Sequence, residues 1–267
     1  MLKISQLYIY PVKSLAGIAV TEATVTDRGL KHDRRWMLVD EQNRFLSQRQ
    51  LPQMALFDPA ITPDGLLIKH RFNNEQILIP FEPQTTDLLN VEVWDDTCSA
   101  IRVSNKADEW FTRLLEIKCH LVYMPDATHR LVDQKYAHNN ELTSFADGYP
   151  FLLIGQASMD DLNNRLAEAV TVNRFRPSIV FTGGYPFQED EITHLTINDI
   201  NFYGVKPCVR CNIPAIDPYT GAIGKEPVKT LAKYRSRNNK IYFGQNLIHN
   251  GTGNISIGDV IELPAQL

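Results

Sequence analysis

The sequence contains one Cys-x-x-Cys motif, formed by Cys208 and Cys211. Thiolate sulfur is a soft metal ligand, so a cysteine pair can bind zinc when two further ligands complete the site. The remaining cysteines, Cys98 and Cys119, form no second pair of this kind. The spacing therefore disfavours a structural zinc site, although a histidine such as His194 could replace a cysteine.

Two other chemistries are open to the same motif. A thioredoxin-like dithiol places its first cysteine at a helix N-terminus, which the nearby Pro214 and Pro218 disfavour. Alternatively, one cysteine is the single thiolate ligand of a metal that a cofactor already holds, with Arg210 favouring the thiolate. The structural alternative is a buried and inert cysteine pair, which spacing alone favours.

Basic side chains elsewhere suggest a site for an anion. In the segment 172–180 we expect an extended backbone, which would place Arg174 and Arg176 on the same face. Two guanidiniums on one face could clamp a phosphate, or they could be exposed residues in ion pairs. Similar candidates in predicted turns near strands are Lys13 with Ser14, and Arg34 with Arg35.

Asp147 precedes a predicted strand over residues 151–154. A carboxylate at this position could carry protons for a redox metal. The structural alternative is an aspartate that only forms the turn.

Short apolar runs, separated by turn residues, indicate the elements that must position these side chains. The predicted strands cover residues 4–10, 20–26, 36–40, 66–69, 77–80, 91–94, 101–103, 120–124, 151–154, 179–182, 195–197, 200–203 and 260–263. Many short strands at close spacing are typical of barrels and sandwiches. Strands and helices do not alternate regularly along the chain, which disfavours a doubly wound parallel sheet. We therefore expect a mainly β (α+β) chain with two β domains, over residues 1–118 and 119–267.

Three helices are also predicted. Asn105 is the expected N-cap of the first, and Ser158 with Asp161 resembles a capping box at the start of the second. Pro227 fits the first turn of a third helix that reaches about Arg235.

Composition narrows the class of protein. The chain has 267 residues, four cysteines and a formal net charge of −4, which argues against a nucleic-acid-binding protein. No apolar window is long enough for a transmembrane helix and no signal peptide is evident, so we expect no membrane association and a reducing, cytoplasmic location. The first 50 residues nevertheless hold eight basic and five acidic side chains, an excess that could serve a small anion.

Taken together, five motifs resemble those of MOSC-domain proteins that carry an N-terminal MOSC β-barrel, a family that includes amidoxime-reducing components and bacterial YcbX-type proteins. The motifs are Pro-Val-Lys-Ser at 11–14, Asp-Arg-Arg-Trp at 33–36, Ser-Gln-Arg-Gln at 47–50, Arg-Phe-Arg-Pro at 174–177, and the Cys-x-x-Cys with Asp-Pro-Tyr-Thr-Gly at 217–221. The resemblance extends over nearly the whole chain and implies an N-terminal MOSC-type barrel followed by a MOSC barrel.

The resemblance also implies a molybdenum cofactor, in which the dithiolene of a pyranopterin holds molybdenum and Cys211 is a further ligand. Cys208 is not expected to bind the metal, and Asp147 matches a carboxylate close to it. The residues expected to bind the cofactor are Lys13, Ser14, Arg34, Arg174, Arg176 and Cys211. At the position of Arg174, amidoxime-reducing components have asparagine.

The implied activity is the two-electron reduction of N-hydroxylated small molecules such as amidoximes, hydroxylamines and N-hydroxylated bases. Some relatives carry a ferredoxin domain, but this chain lacks the residues and cysteines for an iron–sulfur cluster of its own. We therefore expect electrons from a separate flavin or iron–sulfur reductase. Two alternatives are a non-catalytic carrier of the cofactor or of sulfur, and a thiol-redox protein that uses Cys208 and Cys211.

Overall fold

The computed structural model describes residues 1–264 as a mainly β structure. Its strands are β1 (Leu2–Ile9), β2 (Ile18–Val20), β3 (Glu22–Thr26), β4 (Gly29–Leu30), β5 (Trp36–Val39), β6 (Phe57–Thr62), β7 (Gly65–His70), β8 (Gln76–Ile79), β9 (Leu88–Val93), β10 (Asp96–Arg102), β11 (His120–Tyr123), β12 (Phe151–Gly155), β13 (Ile179–Thr182), β14 (His194–Ile197), β15 (Ile200–Val209), β16 (Ser236–Arg237), β17 (Lys240–Asn250), β18 (Gly253–Ser256) and β19 (Val260–Glu262). The helices within these residues are α1 (Asn105–Leu115), α2 (Gln156–Asn163) and α3 (Val228–Tyr234). The expected mainly β class with a few helices is confirmed.

Seven strands form a closed barrel in the order β12, β13, β1, β19, β14, β15 and β17, and β17 pairs back onto β12. Of these contacts only β12 with β13 is parallel. Alternate side chains of the strands point inward and form a tightly buried core around Phe151, Phe181 and Phe202. Because the barrel is closed, it fixes the positions at which the loops leave its strands.

A second β region contains a four-stranded sheet in the order β5, β11, β10, β9 and a three-stranded sheet of β6, β7 and β8. Helix α1 packs against both through Trp110 and Phe111, next to Trp36 and Phe57. Strand β1 belongs to the barrel although it comes first in the chain, and β11 pairs with β5 and β10. The domain boundary between residues 118 and 119 stays a prediction.

The longest strand, β17, is absent from the sequence-based prediction. Polar residues and Gly244 interrupt its apolar pattern, so neither strict alternation nor a continuous apolar run is present. Gly244 has a φ of 84°, and a Cβ there would lie 3.0 Å from the carbonyl oxygen of Leu153. Glycine therefore allows β17 to approach β12 at the point where the barrel closes.

The helices are at the expected places, but two of the three predicted starts are wrong. Ser104, rather than Asn105, caps α1, because its Oγ accepts a hydrogen bond from the backbone N–H of Ala107 at 3.1 Å. Ser158 lies inside α2, where its Oγ donates to Glu189 at 2.7 Å. The predicted third helix is confirmed as α3, preceded by Pro227. None of the helices in residues 1–264 is long and apolar enough to cross a membrane.

The cap assignment can be tested by stability measurements. We expect Ser104→Ala to lower the free energy of unfolding by about 1 kcal/mol, because the Ala107 N–H loses its acceptor at a buried helix start. Asn105→Ala is the matched control and should leave stability nearly unchanged. Urea unfolding of both variants measures the difference. A larger loss of unfolding free energy in Asn105→Ala would show that Asn105 is the N-cap, as the sequence predicted.

Candidate functional site

A cleft open to solvent brings most of the predicted site residues together. Among the residues that the structure describes, it is lined by five cationic side chains and by one carboxylate, that of Asp147. The cations are Lys13, Arg34, Arg49, Arg176 and Arg210. Ser14, Cys208 and Cys211 also line the cleft. Because unlike charges attract and like charges repel, a cleft with this balance favours an anionic ligand.

Lys13, Ser14 and Arg34 come together because two loops are joined by backbone hydrogen bonds. The loop after β1 and the loop before β5 exchange bonds from Lys13 to Trp36 and from Arg34 to Tyr10, each at 2.8 Å. Ser14 and Arg34 have φ values of 68° and 48°, a region that non-glycine residues seldom adopt. Strained backbone of this kind persists where the surrounding structure enforces it, frequently at functional sites.

The backbone that brings Arg176 to the cleft has a different conformation from the predicted one. The segment is not extended: residues Val172–Phe175 form a 3-10 helix, and Arg176 follows it with a φ of 57°. The two arginines therefore do not share a strand face. Arg176 Nη1 donates to the carbonyl oxygen of Leu15 at 2.6 Å. Arg174 is not among the residues that line the cleft; it lines a neighbouring cavity and pairs with Asp217 at 2.7 Å.

The ring of Tyr10 holds two guanidiniums close to each other. The Cζ atoms of Arg34 and Arg176 lie 4.4 and 4.2 Å from the ring centroid. Arg34 has a carboxylate partner in the buried Asp33, at 2.6 Å. Burial and the charge of Arg34 lower the pKa of Arg176 to about 10. Its Nη2 is buried and lacks a hydrogen-bond partner within residues 1–264, so an anion in the cleft would satisfy an otherwise costly donor.

The two cysteines of the motif occupy different positions. Cys208 lies within β15, which excludes the helix N-terminus that a thioredoxin-like dithiol requires, and Arg210 Nη1 lies 3.1 Å from its sulfur. Cys211 follows the end of β15, and Arg49 Nη2 lies 3.3 Å from its sulfur. Both thiols are free and half-buried. Each sulfur thus has its own guanidinium, and both belong to the cleft.

A protein-only metal site is not assembled around these cysteines. Within residues 1–264 no three histidine, cysteine, aspartate or glutamate side chains converge to hold a metal ion. Cys98 and Cys119 are buried elsewhere, and burial raises the pKa of the Cys119 thiol to about 11. The zinc interpretation of the motif therefore finds no further ligands in the described structure.

Asp147 lies at the centre of a charged network. Its Oδ1 is 2.6 Å from the buried ammonium of Lys13, and its Oδ2 is 3.5 Å from Arg49. The indole Nε1 of Trp94 also donates to Oδ1, at 3.2 Å. Desolvation would raise the pKa of Asp147, but the charges of Lys13 and Arg49 hold it well below its usual range. Asp147 is therefore a carboxylate at neutral pH.

Arg130 fixes the loop that carries Asp147. Its guanidinium is buried, and it donates to the carbonyl oxygens of Ser144 at 2.8 Å and Ala146 at 2.6 Å. It also pairs with Asp96 at 2.7 Å. These contacts anchor the loop on β10, so the carboxylate of Asp147 is held in place by a charged buried residue rather than by the loop alone.

Lys13 should give the protein a specific dependence of stability on pH. Burial lowers its pKa from the ordinary lysine value of 10.5 to about 8, despite the opposing charge of Asp147. Between these values the unfolded chain binds more protons than the folded one, so the free energy of unfolding contributed by Lys13 rises with pH. Integrated over the interval, the rise is on the order of 3 kcal/mol. Urea unfolding between pH 8 and 10.5 measures this rise, which should be absent in Lys13→Met. Parallel plots of unfolding free energy against pH for the two proteins would contradict the lowered pKa of Lys13.

Arg49 and Trp94 were not predicted as site residues. Arg49 belongs to the Ser-Gln-Arg-Gln motif and could have been considered from that motif alone. Trp94 carries no local signal of function, since an isolated tryptophan at the end of a strand is usual for β structure. Only the fold shows that both lie beside Asp147.

Comparisons with known proteins identify the family of the chain. The MOSC N-terminal beta barrel domain matches residues 1–118, and the MOSC domain matches residues 140–262. The chain is 31% identical over 280 residues to mitochondrial amidoxime-reducing component 1 of Mus musculus, covering 98% of this chain and 82% of that protein. The chain belongs to the MOSC-domain family. The resemblance inferred from the five motifs is thereby confirmed.

Two further relatives show the range of this MOSC family. The human mitochondrial amidoxime-reducing component 1 is 30% identical over 290 residues, covering 98% of this chain and 83% of that protein. The molybdenum cofactor sulfurase of Solanum lycopersicum is 28% identical over 264 residues, covering 90% of this chain but only 32% of that larger protein. The MOSC chain thus matches most of the first relative and about a third of the second.

Proposed function

We propose that this MOSC protein is a molybdenum-cofactor-dependent reductase of N-hydroxylated small molecules. The observation that carries the proposal is the cleft itself, which combines the thiol of Cys211 with five cationic side chains and one carboxylate. The names of the relatives support the same class, because they describe amidoxime-reducing components and a molybdenum cofactor sulfurase.

The residues present fit a phosphorylated pterin that carries molybdenum. The unpartnered Nη2 of Arg176 and the ammonium of Lys13 suit a phosphate, and Ser14 and Arg34 complete that side of the cleft. The soft sulfur of Cys211 suits molybdenum, so Cys211 is the proposed protein ligand of the metal. Cys208 is not proposed to bind the metal. Arg174 lines the neighbouring cavity and pairs with Asp217. We therefore propose that Arg174 stabilises the turn at Asp217 and does not contact the cofactor directly.

The cofactor supplies the two-electron redox chemistry when it is bound, and the chain supplies position and charge. In the overall reaction the substrate N–O bond is broken with two electrons and two protons, releasing water and the amine or amidine. Asp147 is a poor proton donor at neutral pH because it is already ionised. The ammonium of Lys13, whose Nζ lies 2.6 Å from Asp147 Oδ1, helps keep that carboxylate ionised and so holds a proton beside it rather than on it.

The proposed activity can be measured on protein from a host that makes the cofactor. We expect reduction of benzamidoxime to benzamidine with a reduced viologen as electron donor, and no reduction by cofactor-free protein. Folded protein that contains molybdenum but leaves benzamidoxime, hydroxylamines and 6-hydroxylaminopurine unchanged would contradict the proposal.

We further propose that electrons come from a separate flavin or iron–sulfur reductase, because the four cysteines are dispersed as two buried thiols and two in the cleft. The free thiols fit a reducing compartment, and we propose the cytoplasm. Removal of toxic N-hydroxylated compounds would be the purpose of such an enzyme.

A second candidate is a non-catalytic carrier of the cofactor or of sulfur. The tomato relative's name and the half-buried Cys208 beside Arg210 favour it. Rapid exchange of bound cofactor, or a persulfide on Cys208, without turnover by any electron donor would support the carrier instead of the reductase.

A further inference from the structure

Trp94 occupies an unusual position in the backbone. Val93 pairs with Asp96, so Trp94 and Asp95 form the two-residue turn that joins β9 to β10. Trp94 has a φ of 58°, which a bulky aromatic residue rarely adopts and which such turns usually assign to glycine or asparagine. A large residue retained in a strained conformation points to a role for its side chain.

The side chain of Trp94 is tied to the cleft by polar contacts. Its Nε1–H donates to Asp147 at 3.2 Å, and the guanidinium of Arg49 lies 4.6 Å from its ring centroid. Arg49 in turn reaches the sulfur of Cys211 at 3.3 Å. Phe45 packs against the indole with ring centroids 5.0 Å apart. One residue, Arg49, therefore separates the indole from the Cys211 sulfur.

Despite these contacts, Trp94 is 47% exposed. Its N–H is occupied by Asp147, so much of the solvent-facing surface is the apolar ring. An exposed indole offers a planar partner surface for aromatic rings, and adjacent Asp147 can accept hydrogen bonds from N–H or O–H groups. Benzamidoxime-like compounds have both features: a planar ring and a polar N-hydroxylated group.

We propose that Trp94 is a specificity-determining residue that stacks on the aromatic part of the substrate and thereby favours aromatic over aliphatic N-hydroxylated compounds. The assignment rests on the proposed function for its substrate class. Trp94 itself does not line the cleft, but Asp147 and Arg49 line it and contact the indole. A substrate ring stacked on the exposed indole would therefore lie next to the Asp147 carboxylate.

Equilibrium binding to the molybdenum-loaded protein, without an electron donor, tests this role. Benzamidoxime and acetamidoxime are titrated calorimetrically into wild type, Trp94→Phe and Trp94→Gly. Glycine suits the positive φ, so Trp94→Gly should keep the turn while removing the ring. We expect it to weaken benzamidoxime binding about two- to tenfold, from the usual strength of an aromatic pair, and to leave acetamidoxime binding unchanged. Trp94→Phe should retain most of the preference.

A second readout uses fluorescence. Trp36 and Trp110 are buried, so benzamidoxime should perturb mainly the emission of Trp94, and the change should vanish in Trp94→Phe. Phe72→Ala, which removes an exposed aromatic residue at another hairpin, is the matched control and should bind like wild type.

The results separate this role from the proposed function. Equal affinity of wild type for both amidoximes, equal weakening of both in Trp94→Gly, or no binding of either would overturn the role of Trp94. Preferential benzamidoxime binding that depends on Trp94, combined with no turnover when a donor is added, would support the stacking role and contradict the reductase.

Discussion

Replacing Cys211 with serine is expected to reduce both bound molybdenum and benzamidoxime reduction by at least about 100-fold. Changes to residues that merely support metal ligands already cost about 10–100-fold, and Cys211 is the proposed ligand itself. A serine hydroxyl is a harder and weaker donor than thiolate at neutral pH, so it should not replace the sulfur. Metal analysis per protein chain and steady-state reduction with a viologen donor measure the two effects.

The matched control is Cys208→Ser. Cys208 lies in β15 beside Arg210, and no step of the proposed chemistry uses its sulfur. We expect this variant to keep most of its molybdenum and activity, with a melting temperature close to that of wild type. Equal losses in the two variants would instead indicate a site that uses both cysteines.

The second large effect is expected at Arg176. Arg176→Gln removes the charge and the buried Nη2 donor that we assign to the cofactor phosphate. Hydrogen bonds to charged groups contribute about 1.5–3 kcal/mol, so affinity for the cofactor should fall about 10- to 150-fold. The dissociation constant is measured by titrating released cofactor into cofactor-free protein and following pterin fluorescence.

Arg174→Gln provides a control of the same chemistry only two residues away. Arg174 pairs with Asp217 and donates to the carbonyl oxygen of Pro214, outside the cleft. Its replacement should disturb the turn after Asp217 while leaving cofactor affinity within a few fold of wild type, as expected for a partly exposed ion pair. A loss as large as that of Arg176→Gln would place both arginines on the cofactor.

The fold class was predictable because a buried strand requires a recognisable local pattern of apolar residues. Residues such as Ile179 and Val180 form uninterrupted apolar runs in strands that are covered on both sides. Strand β17 lacks that mark, since its position depends on a long-range pairing with β12 and on the space that Gly244 leaves. Barrel closure therefore could not be derived from local patterns.

The site was predictable in its residue types but less so in its geometry. The predicted site residues that line the cleft are Lys13, Ser14, Arg34, Arg176, Asp147 and Cys211. Arg174, which was also predicted to bind the cofactor, lines the neighbouring cavity instead. The backbone around Arg176 was not predictable, because a left-handed arginine has no local sequence signature and must be enforced by contacts such as that with Leu15. Arg49 and Cys211 are 162 positions apart, so only tertiary structure joins them.

The most direct test of the account is the molybdenum and pterin content of the wild-type chain, purified from a host that produces the cofactor and measured by elemental analysis and pterin fluorescence. The account predicts molybdenum and pterin in equal amounts, close to one of each per chain, and their joint release on unfolding. Folded protein that contains neither, and that binds neither when cofactor is supplied, would contradict it.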